Sequence, residues 1–426
     1  MSGCKEYQSV MSRRQFVGRG ALATTAALTM PAWMPRMAFG QSGTNRDVMI
    51  AIFLEGGADG LSICVPHGDD DYYVHRNTEA IARPDSTDPN KCIDLDGFFG
   101  ISPAFQPLKD IYDDEKLLFV HATGAAKTTW TRSHFDAMRW HELGKPDDIS
   151  LGSGWLGRHL NTSSPSVVNA PLRGISMSYG MMDMLATAPL TLPIPYPESF
   201  GYDGWFPHRS EMLQTLQDAY NQAGDPLKAV AQNTQNTVNL LNAIDFEHYV
   251  PAGGAVYPEN EDFARAMRVT AAMIRAEIGL EVVGIRVGGW DTHDNQGTNT
   301  GYLRDTLDVV AKTLKAFYSD MNGANKPNFI VAVMSEFGRK VIQNGSGTDH
   351  GYANAMMLMG GSVIGGRVMR TWPGLHLDQL HEEQDLKVTI DYRDILAEIV
   401  KKRLKNNNIS QVFPNYTPTY RGTVAA

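Results

Sequence analysis

Two short stretches hold the residues best suited to chemistry: Asp291 and His293 in GGWDTHDNQG, and Asp349 and His350 in NGSGTDHGYANA. Carboxylate oxygen and neutral imidazole nitrogen are usual ligands of Zn²⁺, Mn²⁺ and related ions, so pairs of this kind suit a divalent-metal centre. Asp349 and His350 lie between Gly347 and Gly351, which let the backbone turn tightly enough for adjacent side chains to face one ion. Asp291 and His293 fall on one side of an extended loop. An Asp-His pair also caps helices or bonds loop backbone; two pairs at strand ends of one sheet strengthen the metal reading beyond what either pair carries. Glu55 and Asp59 in EGGADGLS, Asp294, and Glu336 in SEFGRK extend the set of donors. Glu336 reads as a ligand, a general base or the ion-pair partner of Arg339. Arg132 and Arg339 suit bidentate binding of an anionic group or pairing with a local carboxylate. Trp290 and Phe337 read as packing residues.

These residues need strands to place them. Apolar runs at 47–54, 117–120, 172–177, 282–287, 329–334 and 355–359 read as buried strands. Helical patterns fall at 104–114, 133–143, 209–223, 226–243, 262–278, 302–321 and 392–404. The clearest is 302–321, where Leu303, Leu307, Val310, Leu314 and Phe317 form one apolar stripe. Alternating strands and helices predict an α/β fold: a three-layer α/β/α sandwich with a mostly parallel central sheet. Polar ligands in such sheets gather at the carboxyl ends of the strands, where EGGADGLS, GGWDTHDNQG and SEFGRK fall. One domain spanning 41–426, with a helical insertion at about 205–279, is the simplest organisation.

The chain has 426 residues, 42% hydrophobic and 20% charged, which excludes a disordered, collagenous or coiled-coil protein. It is long enough to bury a core without disulfides or metal. A formal charge of −9 repels nucleic acid, and no nucleic-acid partner is expected. Residues 1–40 read as a twin-arginine signal peptide: Arg13 and Arg14, Phe16, an apolar stretch interrupted by Pro31, and Ala38-Phe39-Gly40 as a cleavage site. The stretch is short of the ~20 residues of a membrane anchor, so no stable anchor is expected after cleavage. The twin-arginine export machinery is an expected partner and a periplasmic or secreted location follows. Cys4 leaves with the leader. Cys64 and Cys92 remain, and in an oxidising compartment either a bridge or two buried thiols stays open.

GTDHG resembles the Ser/Thr-Asp-His-Gly motif of the alkaline phosphatase superfamily, in which the Asp and His bind one of two metals. FLEGGADGLS, RSHFDA, GWLGR, GGWDTHDNQ, MSEFGRK, GTDHGYANAM and TIDYRDILAEIV together resemble DUF1501, a bacterial family of exported proteins of unknown function assigned to that superfamily. The resemblance runs from about residue 47 to 415 and implies an alkaline-phosphatase-like fold without a known substrate. It assigns Asp349 and His350 to one metal. Asp291 and His293 resemble the other metal's pair, although the superfamily usually spaces those ligands four apart. The first strand normally ends in a metal-binding Asp, for which Glu55 and Asp59 stand here. The last His ligand falls to His376 or His381.

The resemblance also implies a nucleophile at the start of the helix after the second strand. Ser133, with Thr129 and Thr131 beside it, occupies that kind of place; Ser133-x-x-Asp136 is equally close to a capping box. Cys64-Val65-Pro66-His67-Gly68 begins the sulfatase motif Cys-x-Pro-x-Arg but lacks its Arg, which argues against a formylglycine sulfatase. Two functions follow as expectations. One is an exported metal-dependent hydrolase of a phosphate or sulfate ester or related small anionic substrate, using Ser133, Glu336 and Arg339 with a divalent ion, Zn, Mn or Ca, on Asp291, His293, Asp349, His350, Asp59 and Glu55. The other is a catalytically degenerate periplasmic binding or assembly protein of the same fold.

Overall fold

The computed structural model describes residues 46–126, 130–146, 148–202 and 207–426. The expected signal peptide, Thr129, and the first residues of the expected insertion, 205 and 206, lie outside them. The strands of the central sheet are β1 (Val48–Leu54), β2 (Leu117–Gly124), β3 (Gly174–Ser176), β4 (Thr191–Pro193), β5 (Val282–Val287), β6 (Phe329–Met334), β7 (Asn354–Met359), β8 (Arg367–Met369) and β9 (Ile390–Asp391). They form a nine-stranded sheet in the order β8-β2-β7-β6-β1-β5-β3-β4, with β9 also on β2. Only β7 runs antiparallel, against β2 and β6; the other pairings are parallel.

The helices used below are α1 (His134–Leu143), α2 (Trp155–Asn161), α3 (Arg209–Gln222), α4 (Leu227–Asn242), α5 (Asp262–Arg275), α6 (Tyr302–Gly323) and α7 (Tyr392–Lys402). Period-two alternation in the strands divides the core between the two faces. Ile50, Ile52 and Leu54 of β1, with Val283 and Ile285 of β5, join the α5 and α6 side. Met49, Ala51 and Phe53 join the α2 and α7 side, with Ile330 and Ala332 of β6. The sheet is therefore covered on both faces, as a three-layer α/β/α sandwich.

The helical stripe on α6 is buried as its spacing predicts, from Leu303 to Phe317. The pattern at 104–114 instead divides into a 3-10 turn, Pro103–Leu108, and a short α-helix, Lys109–Asp113, because Pro107 lacks the N–H that a continuous helix needs. The helices α3, α4 and α5 lie between β4 and β5. None of the residues of α3 is buried. No helix among the described residues is long and apolar enough to cross a membrane.

One consequence of topology positions the site. The parallel strands β1, β5 and β6 end at one edge of the sheet, β2 ends there too, and antiparallel β7 begins there. Loops after residues 54, 124, 287 and 334, and the loop before 354, are thus delivered to the same rim.

Core burial and helix exposure predict opposite responses. Leu314→Ala in α6 is expected to cost about 2–5 kcal/mol, whereas Met212→Ala in α3 should stay within about 0.5 kcal/mol of the parent. Urea midpoints of the two variants check this; equal losses would contradict the core assignment.

Candidate metal centre

At that rim, imidazole rings from three separate segments surround Asp291. His134 begins α1, which Ser133 caps and Gly144 ends in a left-handed conformation, so the ring projects from the helix's first turn. His134 Nδ1 lies 2.8 Å from Glu336 Oε1, and its Nε2 lies 3.5 Å from Asp291 Oδ2. His293 Nδ1 lies 3.0 Å from Asp349 Oδ1 and its Nε2 3.1 Å from Asp291 Oδ1. His350 Nδ1 lies 2.9 Å from the Arg132 carbonyl and its Nε2 2.9 Å from Asp291 Oδ1.

Each ring therefore spends Nδ1 as a donor to an oxygen that only accepts. In the neutral tautomer that assignment leaves Nε2 without a proton, and every Nε2 turns toward Asp291, an acceptor that His350 and His293 already approach at 2.9 and 3.1 Å. The Nε2 atoms of His293 and His350 are 3.0 Å apart. Two lone pairs do not rest at that distance against a carboxylate with nothing between them; a proton or a cation must be shared. His134 Nε2 is buried with no hydrogen-bond partner. Ligand atoms of His134, Asp291 and His350 all lie within 4.8 Å of one another. A histidine held through Nδ1 by a carboxylate or carbonyl, with Nε2 free, is the usual arrangement of a metal-binding imidazole, so these residues fit a divalent ion.

The carboxylates are ionised for definite reasons. Burial alone would raise Asp291, but His350 and Arg339 outweigh it and bring its pKa down to about 2. Burial also opposes ionisation of Glu336, and bonds from His134, Ser335 and Gly56 N overcome it, holding the group below its ordinary range. Asp349 behaves likewise through His293 and Asn344. Burial lowers His350, which disfavours its imidazolium form. Phe337 closes one side, its ring centroid 5.0 Å from that of His134 and 4.8 Å from that of His350.

Arg339 ties the rim together. Its buried guanidinium donates to Gly57 O at 2.6 Å, Thr348 O at 2.8 Å, Trp290 O at 2.7 Å, Asp291 Oδ1 at 2.8 Å, and Gly56 O. It reaches those atoms because Gly338 lies against the 351–353 segment: a Cβ at Gly338 would fall 1.9 Å from Ala353 O. A short antiparallel bridge then pairs Arg339 with His350.

The structure thus brings Asp291, His293, Asp349, His350, Glu336 and Arg339 together, with Asp349 and Glu336 behind rings. Asp59, near the rim, does not join them: wholly buried, its oxygens accept from Arg76 at 2.6 and 3.1 Å, Ser62 at 2.6 Å and Gln296 at 2.9 Å. Glu55 follows β1 directly, and its backbone continues the pairing to Val287 and Trp290. The Ser133 hydroxyl accepts from Asp136 N at 3.4 Å. Thr131 Oγ1 accepts from Ser133 N. Asp294 is exposed beside the cluster. His376 is on the surface with Asp378, and His381 packs on Trp130 and Tyr352. Arg132 bonds His350 O and Asp385 and lies over Trp130. Cys64 and Cys92 are free and buried, and burial pushes the Cys92 thiol up to about 12. Sequence reasoning missed His134; the signal available was a histidine beside the capping serine it had singled out.

A family model described as a protein of unknown function, DUF1501, matches residues 150–412. No curated protein matches the sequence. Among solved structures, Ps i-CgsB in complex with a neocarrahexaose is 9% identical with a TM-score of 0.39, covering 88% of this chain and 75% of its own. The phosphonate monoester hydrolase of Agrobacterium radiobacter is 8% identical at 0.31, covering 88% and 79%. The alkaline phosphatase of the Antarctic bacterium TAB5 is 9% identical at 0.25, covering 74% and 92%. Likenesses of this depth carry no weight for chemistry.

The His134–Glu336 contact sets a pH window in metal-free protein. The bond to Glu336 raises His134 above its ordinary 6.5, so its contribution to stability is full below 6.5 and is lost as pH rises through the folded value. Glu336 is depressed from 4.5, so its contribution is present above 4.5 and is lost as pH falls through the folded value. Glu336→Gln should bring the His134 titration midpoint back toward 6.5, read by NMR. It should also cost more stability at about pH 5.5 than at about pH 9.

Proposed function

The chain belongs to the DUF1501 family, and on that footing we propose that it is a metal-dependent hydrolase of a phosphate or sulfate ester or a related small anionic substrate. The observation that carries the reading is the pair of imidazole nitrogens, His293 Nε2 and His350 Nε2, 3.0 Å apart and both turned to one carboxylate. GTDHG, at the rim of a mostly parallel sheet, supports placement in the alkaline phosphatase superfamily. A divalent ion held by His134, Asp291, His293 and His350 would supply a Lewis acid that stabilises charge developing on an ester oxygen.

The chain's own residues do the rest. Glu336, Asp349 and the Arg132 carbonyl hold the rings by Nδ1, so that Nε2 faces inward without reorganisation. Phe337 keeps water from one side of the rings. Arg339, with its donors engaged on the rim, is a positioning residue that presents Asp291. Ser133 is proposed as nucleophile on its place one residue before His134. Export through the twin-arginine pathway to the periplasm or beyond is part of the proposal and rests on residues 1–40.

A second reading, a binding or assembly protein without turnover, is favoured by one feature: Asp59 is spent on Arg76. Metal analysis of the folded protein and assay with aryl phosphate mono- and diesters and an aryl sulfate separate the two. The hydrolase reading expects bound metal and turnover, with both lost by at least about 100-fold in Asp291→Asn and in His134→Ala. In Ser133→Ala the hydrolase reading expects turnover lost and metal kept; loss of about 1 kcal/mol of stability with turnover intact would leave the serine a helix cap. Metal-bearing protein inactive on every ester would favour the second reading.

A further inference from the structure

We infer that the rim holds a single divalent cation in a three-imidazole, one-carboxylate set, and that buried guanidinium groups stand where a second cation would need free carboxylate. The inference rests on the metal-dependent reading and narrows it. Of the acidic groups near the rim, Asp59 is closed off most completely. Arg76 Nη1 and Nη2 bond its two oxygens, and Ser62 and Gln296 take further lone pairs. Arg76 is itself fixed, donating to Val341 O and Lys340 O at 2.7 Å each. The pair is wholly buried, so a cation approaching Asp59 would have to displace an ion partner that has no solvent to move into.

Glu336 and Asp349 are committed as well, whereas Asp294 is exposed beside the cluster. Glu336 accepts from His134, Gly56 N and Ser335. Asp349 accepts from His293 and Asn344, with Lys340 Nζ 3.6 Å away. Arg339 holds Oδ1 of Asp291. A cation would be held by His134 Nε2, which has no hydrogen-bond partner, with Asp291 and His350, whose ligand atoms lie within 4.8 Å of it and of one another, and by His293 Nε2, 3.0 Å from His350 Nε2, which together offer one tetrahedral set. Nitrogen-rich donors favour a borderline cation such as Zn²⁺ over Ca²⁺ and Mg²⁺, which take oxygen ligands.

Metal stoichiometry tests this without reference to turnover. The whole chain, stripped with chelator, is titrated with Zn²⁺ by calorimetry and with Co²⁺ by visible absorption, and metal per chain is measured after desalting. We expect saturation at one ion per chain for both metals, an intense tetrahedral Co²⁺ band, no Ca²⁺ retained, and Zn²⁺ affinity at least 100-fold weaker in His134→Ala. Saturation at two ions, retention of Ca²⁺, absence of Zn²⁺ binding, or unchanged Zn²⁺ affinity in a folded His134→Ala protein would each overturn it. One bound ion without ester hydrolysis leaves the inference standing and removes the hydrolase reading; two ions with hydrolysis does the reverse.

Discussion

The rim depends on one buried cation, the guanidinium of Arg339. A charge taken out of water costs several kcal/mol unless it is fully bonded, and here the compensation comes from the backbone of the loops that make the site. Gly56 and Gly57 belong to the loop after β1, Trp290 and Asp291 to the loop after β5, and Thr348 to the segment leading to β7. Only a planar, five-donor group reaches acceptors so arranged; a lysine offers a single point charge at the same depth. The loops are held in register because separating any of them would strand part of the guanidinium.

Around that anchor the charges are ordered. Carboxylates lie behind the rings on the Nδ1 side, Asp291 in front, and Arg76 and Arg339 are buried on the flanks. This order also bounds the cation count. Two unit charges about 4 Å apart interact by about 4 kcal/mol at an effective dielectric of about 20, and a doubly charged ion beside a guanidinium meets about twice that. Asp59, the carboxylate bonded to Arg76, is already spent on that guanidinium. The fixed guanidinium groups thus act on the site as permanent cations that no chelator removes.

Much of this was legible in the sequence, for reasons that differ by residue. Asp291, His293, Asp349 and His350 stood out because their types name a chemistry and their loops follow or precede apolar runs that read as strands. The three-layer fold was legible because β1, β5 and β6 are nearly continuous apolar runs separated by helices. The antiparallel sense of β7 was not, since an apolar run carries no direction. Asp59 read as a donor because its partner Arg76 lies in a separate helical turn and nothing in local spacing announces a buried pair. His134 was hidden for the opposite reason: it has no second ligand nearby in the chain, and its Nδ1 support, Glu336, is 202 residues away. Ligands of that kind come into view only when strand order is known.

Strand order also explains how two of the three rings, His134 and His350, are placed accurately. Glu336 lies two residues beyond β6, and the segment carrying His350 is bridged to Arg339 just before β7. His134 is the first residue of a capped helix that packs on the sheet. Ligands supported directly from regular elements hold their geometry better than ligands carried at loop tips. Asp291 and His293 are the exceptions, both on one glycine-containing loop, and half-exposed Asp291 is the residue that Arg339 grips. The guanidinium supplies to Asp291 the rigidity that regular elements supply to His134 and His350, which is why a fully buried arginine and an exposed aspartate occur side by side at this rim.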